Sequence, residues 1–125
     1  MDVKVVDTSA VAALLFGEPE TEAIADRFAG ARLVAPGLLG FELANVCRIK
    51  CRRHPAHAPA LTQAFRIRGH LGIEEAAVDH DAVLLLAAET GLTAYDASYL
   101  WLSRELGAEL ITLDRTLAKA ATRTP

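Results

Sequence analysis

Apolar positions along this chain take two forms: short β-branched runs, and longer stretches with the spacing of a helix face. Val3 to Val6 is a β-branched run ending at Asp7 and reads as a buried first strand. Ser9 to Phe16 reads as a helix ended by Gly17-Glu18-Pro19. Glu20 to Ala29 follows as a second helix, with Ile24 and Phe28 one turn apart and Gly30 closing it. Arg32 to Ala35 is a second strand, stopped by Pro36. Leu38 to Arg53 is a long helix whose first half is apolar on nearly every side, so burial is expected there, and whose second half turns basic. Pro55 and Pro59 mark a turn into a return helix, Leu61 to His70. Glu75 to Val78 is a third strand, and Asp79 or Asp81 caps a helix from Ala82 to Thr90, ended by Gly91. Tyr95 to Leu106 is helical, Glu109 to Leu113 is the next strand, and Arg115 to Thr122 is a last short helix. Strands alternating with helices over so short a chain mean an α/β fold, a parallel sheet covered on both faces.

Composition narrows this further. The 125 residues suit one compact domain, 1–125, large enough to bury a core without disulfide staples. Hydrophobic residues make up 52% of the chain and 24 are alanine, which argues for close helix packing and against disorder. No apolar run approaches the ~20 residues of a membrane span. Met1-Asp2-Val3-Lys4 runs straight into a strand without the basic and apolar regions of a signal peptide, so a cytoplasmic protein is expected. Cys47 and Cys51 read as small hydrophobes packed in one helix. With His54 and His57 they also suggest a zinc site, but Pro55 separates the two histidines and the spacing fits no common zinc motif.

Charge is unevenly spread. The net charge is −3, yet Leu43 to Ile73 holds no acidic residue and six of the 13 basic ones: Arg48, Lys50, Arg52, Arg53, Arg66 and Arg68. Such a segment is either a solvated helical hairpin or a grip for a polyanion.

Four short motifs carry the chemistry: V-V-D-T-S (Val5 to Ser9), G-F-E-L-A-N-V (Gly40 to Val46), Y-D-A-S-Y-L (Tyr95 to Leu100) and I-T-L-D-R-T-L (Ile111 to Leu117). Each sets a carboxylate against apolar sequence: Asp7, Glu42, Asp96 and Asp114. Ligands in parallel α/β sheets sit at the carboxyl ends of strands, which places Asp7 and Asp114 at the same rim. Asp96 falls in the first turn of its helix, and Glu42 has Asn45 on the same helix face. Like charges about 4 Å apart repel by roughly 4 kcal/mol at an effective dielectric near 20. Acids gathered together therefore call for a counter-charge, most simply a hard divalent cation with oxygen ligands. Each acid also has a purely structural reading. Asp7 and Asp114 suit helix N-caps, and Asp96 suits a partner for a helix dipole. Glu42 suits a structural role least, because Leu38, Leu39, Phe41 and Leu43 surround it in sequence.

These motifs resemble the PIN-domain family, and within it the small VapC-type ribonuclease toxins. The likeness spans nearly the whole chain and rests on D-T-S after the first strand, P-x(5)-E from Pro36 to Glu42, the Y-D-A that opens a helix, and T-x-D-R-x-L near the end. It implies a three-layer α/β/α domain with a short twisted parallel sheet of four to five strands. It also implies an acidic quartet at Asp7, Glu42, Asp96 and Asp114 holding one or two Mg²⁺ or Mn²⁺ ions. The family's Ser/Thr contributions map onto Thr8 or Ser9 and onto Thr112, and we expect Asn45 to support Glu42. Two features depart from the family. Leu117 stands where some members have a further acid, and Thr122 to Pro125 leave little room for a last strand.

The implied activity is metal-dependent hydrolysis of RNA by a toxin held in check by a cognate antitoxin protein. Arg48, Lys50, Arg52, Arg53, Arg66 and Arg68 are expected to hold RNA. An apolar groove formed with Leu15, Phe16, Ile24 and Phe28 is expected to receive the antitoxin. Tyr99, Trp101 and Leu102 are candidates for a homodimer face. The rival within the family is a catalytically inactive PIN-like module that binds RNA or a partner, which the intact quartet argues against. A receiver domain would need paired acids after the first strand and a lysine after the last, and Asp7 stands alone while Lys119 lies in a helix. No G-x-G-x-x-G, P-loop or G-x-S-x-G is present.

Overall fold

The computed structural model describes residues 1–123. Four parallel strands form one sheet: β1 (Val3–Val6), β2 (Arg32–Pro36), β3 (Glu74–Ala76) and β4 (Glu109–Ile111). Their spatial order is β3-β2-β1-β4. Seven helices intervene or follow: α1 (Thr8–Leu15), α2 (Thr21–Phe28), α3 (Leu39–Arg53), α4 (Ala58–Arg66), α5 (His80–Thr90), α6 (Ala94–Leu106) and α7 (Arg115–Thr122). Short 3-10 turns at Pro55–His57 and Arg68–Leu71 flank α4. The result is the three-layer α/β/α arrangement expected from the alternating pattern.

The strand order places the site. From β1 the chain builds outward through β2 to β3, then returns to set β4 on the other side of β1. The carboxyl ends of β1 and β4 therefore flank a topological switch point, where open α/β sheets form their crevices. Val5 pairs with Leu110 and Val6 with Ile111, which carries Asp7 and Thr112 to the same rim.

Val5, Val6 and Ile111 are fully buried between layers, joined by Val11, Ile24, Leu43, Leu100 and Leu117. Helix α6 packs across β1 and β2 and against α5, while α1 packs on α2 and α3. No helix of the described residues is long and apolar enough to cross a membrane.

Several expectations need correction. The third strand is Glu74–Ala76, one residue earlier and shorter than Glu75 to Val78, because it is an exposed edge tied to β2 by the Arg32–Glu74 ion pair. Strand β4 stops at Ile111, since Thr112 turns its hydroxyl towards Asp7. The return helix ends at Arg66 and tightens into a 3-10 turn closed by Gly72 in the left-handed region. The first half of α3 is not buried all round: Phe41 is 84% exposed, and Ala44 and Asn45 face solvent. The expectation about a further C-terminal strand falls partly on Thr124 and Pro125, which lie outside the described residues.

Candidate active site

Asp7 is the structural centre of the site. It leaves β1, caps α1 and is only 4% exposed. Its Oδ1 accepts from Ser9 Oγ at 2.7 Å and from the backbone N of Ala10 at 3.2 Å. Its Oδ2 accepts from Thr112 Oγ1 at 2.7 Å. The two hydroxyls are relays. Ser9 Oγ accepts from the backbone N of Leu113 at 2.9 Å, and Thr112 Oγ1 accepts from that of Asp114 at 3.0 Å. Each hydroxyl has one proton to donate and lone pairs to accept with. Both protons go to Asp7, and both acceptors bind the turn that leads into α7. The β1–α1 and β4–α7 turns are thereby sewn together around one carboxylate.

Asp114 caps α7, its Oδ1 accepting from the backbone N of Leu117 at 2.9 Å. The cap readings of Asp7 and Asp114 thus hold together with their place in the cluster. Asp96 is different. Thr93 caps α6, accepting from the backbone N of Asp96, so the Asp96 carboxylate is not engaged in capping.

Glu42 projects from the first turn of α3 and is half-buried. Its Oε1 accepts from Thr8 Oγ1 at 2.8 Å and from Tyr99 OH at 2.7 Å. Burial pushes the Tyr99 hydroxyl well above its ordinary value, so it acts as a neutral donor. Asn45, expected to support Glu42, faces solvent, and its side chain hydrogen-bonds to no group among the described residues.

The acids feel one another's charge, Asp7 that of Asp114, and Asp96 those of Asp114, Asp7 and Glu42. Desolvation raises the Asp7 carboxyl above its ordinary range, its hydrogen bonds oppose this, and the charge of Asp114 adds to the rise. Asp96 is also raised, first by desolvation, then by repulsion from Asp114, Asp7 and Glu42. No lysine or arginine among the described residues offsets either rise. Yet no three His, Cys, Asp or Glu among the described residues stand at the spacing of a ready-made metal site. An oxygen-only donor set, strongly negative and lacking lysine or arginine, fits a hard divalent cation.

Other expected residues lie elsewhere. Arg48 and Arg52 are exposed one turn apart on α3 and line a groove with Cys47, Cys51, Thr62 and Phe65. Arg53 and Arg66 are exposed. Lys50 does not stand free, because it pairs with Glu18 at 2.6 Å. Arg68 stacks on Phe65, 4.0 Å from the ring centroid, and lines a separate small cavity with Leu39, Leu43 and Glu75. The basic segment is therefore not a single face. Cys47 and Cys51 turn their thiols towards the backbone carbonyls of Leu61 and Ala58 in packing on α4.

The apolar surface also differs from expectation. Ile24 and Phe28 belong to the core, while Leu15 and Phe16 are half-buried along a groove of about 600 Å³ that reaches Lys50, His54 and Leu61. Tyr99 and Leu102 are buried and cannot present a dimer face; Leu84 and Leu85 on α5 and Tyr95 and Leu106 on α6 are the large apolar residues exposed there. Sequence reasoning missed Tyr99 as a site residue. Two signals pointed to it: it lies three residues after Asp96 on the same helix face, and a buried tyrosine hydroxyl needs a partner.

Comparison with known proteins agrees with this geometry. The PIN domain family model matches residues 4–122. Ribonuclease VapC3 from Pyrobaculum aerophilum is 32% identical over 120 residues, covering 92% of each chain. The crystal structure of PAE2754, also from Pyrobaculum aerophilum, superposes with a TM-score of 0.79 at 25% identity, covering 97% of this chain and 87% of that one.

Proposed function

The chain belongs to the PIN-domain family, and within it to the VapC-type proteins; from that premise we propose that it is a divalent-metal-dependent endoribonuclease, the toxin of a toxin–antitoxin pair. The observation that supports this reading is the hydrogen-bonded join of the Asp7 and Asp114 turns through Thr112 at the switch point, with Asp96 feeling the charges of Asp7, Asp114 and Glu42. A bound Mg²⁺ or Mn²⁺, one ion or two, would supply the counter-charge, acidify a water for attack on phosphorus and offset charge on the scissile phosphate and leaving oxygen.

In this reading Asp7, Asp96 and Asp114 hold the cation, and Glu42 either holds it or orients water beside it. Ser9 and Thr112 grip both oxygens of Asp7 and keep the carboxylate from swinging towards solvent. Arg48, Arg52 and Arg53 hold RNA phosphates on the outer face of α3, with Arg66 and Arg68 beyond it. Residues 1–125 act as one PIN domain in the cytoplasm. An antitoxin segment occupies the groove along Leu15, Phe16 and α3, and a second copy of the chain covers the α5–α6 face.

The test is cleavage of a defined single-stranded RNA with and without metal. EDTA should abolish cleavage, Mg²⁺ or Mn²⁺ should restore it, and Ca²⁺ should restore it poorly. Full cleavage in EDTA would sink the mechanism. RNA binding without cleavage in Mn²⁺ would favour an inactive RNA-binding module.

A further inference from the structure

Resting on the nuclease reading above, we propose that Tyr99 is a positioning residue for the reaction: with Thr8 it pins one oxygen of Glu42 and thereby sets the other towards the carboxylate cluster. Both donors engage the same atom. Tyr99 OH lies 2.7 Å and Thr8 Oγ1 2.8 Å from Oε1 of Glu42. The two hydroxyls are also 3.0 Å from each other, but each has a single proton and both protons are committed to Oε1. None of the described hydrogen bonds engages Oε2.

The three groups come from three helices. Thr8 opens α1 beside Asp7, Glu42 lies in the first turn of α3, and Tyr99 lies one turn after Asp96 on α6. Tyr99 is 1% exposed, so its ring is held by the core and its hydroxyl is a fixed strut. A glutamate side chain has three free torsions and would otherwise sample many positions. The strut ties Glu42 to the helix that carries Asp96 and to the turn that carries Asp7. The hydroxyl also lies 3.0 Å from Thr8 Oγ1, next in the chain to Asp7, which puts it beside the cluster rather than on a remote surface.

The test uses Mn²⁺ binding by calorimetry, alongside RNA cleavage and thermal melting in EDTA. Tyr99→Phe keeps the ring and removes only the donor. Loss of a group that orients a metal ligand typically lowers metal affinity about 10- to 100-fold, so we expect a fall of about 10-fold, with kcat reduced and KM for RNA little changed. Thr8→Val should act in the same direction. In a Glu42→Ala background, Tyr99→Phe should change Mn²⁺ affinity by less than about 2-fold, because the hydroxyl acts only through Glu42. Freed of Glu42, one of the Thr8 and Tyr99 hydroxyls can donate to the other, so this background leaves one hydroxyl proton rather than two without a protein acceptor.

Wild-type Mn²⁺ affinity in both Tyr99→Phe and Thr8→Val would overturn the inference. So would an equal loss with and without Glu42, which would mean a merely structural role. Asp7→Asn separates the two levels. If wild type cleaves and Asp7→Asn does not, while Tyr99→Phe matches wild type, only the positioning role falls. If wild type neither binds Mn²⁺ nor cleaves, the nuclease reading falls and this inference with it.

Discussion

Replacing Asp7 by asparagine separates the charge of this residue from its role in the fold. Asparagine caps helices about as well as aspartate, so α1 keeps its first turn. The amide oxygen can take the place of Oδ1, accepting from Ser9 and Ala10 as before. Only the contact with Thr112 is inverted: an NH₂ group meets a hydroxyl that now donates, and that hydroxyl already accepts from the backbone N of Asp114. A hydrogen bond to a charged group contributes about 1.5–3 kcal/mol, so weakening this one costs up to that amount. Against it stands the removal of a charge that burial disfavours first and the charge of Asp114 disfavours further. The terms offset each other, and the metal-free Asp7→Asn protein should melt within about 4 °C of wild type, the shift expected for about 1 kcal/mol.

Asp7→Ala is the contrast. It removes the cap and leaves Ser9, Thr112 and Ala10 without their acceptor, which should destabilise by about 3 kcal/mol, or roughly 10 °C. The assay is calorimetric melting in EDTA, paired with RNA cleavage in Mn²⁺. Cleavage by Asp7→Asn should fall at least about 100-fold, the upper end for losing a group that merely orients a metal ligand. The reasoning is refuted if Asp7→Asn melts as low as Asp7→Ala, or if it melts like wild type and still cleaves at the wild-type rate.

Other measurements probe the remaining terms. Asp7 and Asp96 are both raised above the ordinary 3.8 on folding, so between that value and their folded values the native protein binds more protons than the unfolded chain. Their contribution to metal-free stability is therefore greatest below about pH 4 and is lost as pH rises through the folded values; Asp7→Asn should flatten that slope in urea titrations, and an unchanged slope would discount the buried charge. Arg52→Ala with Arg53→Ala should weaken RNA binding across sequences and lower the salt slope by about 1.4, at roughly 0.7 per phosphate contact on single strands; an unchanged slope in a filter-binding titration would move the RNA path elsewhere. Leu84→Lys with Leu85→Lys should convert a dimer to monomer in sedimentation while shifting monomer stability by no more than about 0.5 kcal/mol per exposed site; a dimer that persists would exclude the α5 face.

What the sequence determined was the order of elements and the identity of the four acids. Periodicity is a local property, so the short β-branched runs and the helical spacings place β1, β2 and α1 to α3 to within a residue or two. The acids stand out because a carboxylate in apolar sequence needs a reason wherever it falls. Tertiary structure decided what is not local. That Asp7 and Asp114 each cap a helix and also join the cluster depends on β1 and β4 being neighbours, which nothing near Asp7 announces. Lys50 looked free until the fold brought Glu18 against it. Phe41 was expected in the core and Asn45 beside Glu42, but the apolar half of α3 offers only part of its circumference to the core and both face solvent. Tyr99 drew attention as surface for a partner, yet α6 turns it inward to Glu42, because hydrogen bonds between helices far apart in sequence exist only once the sheet between them is assembled.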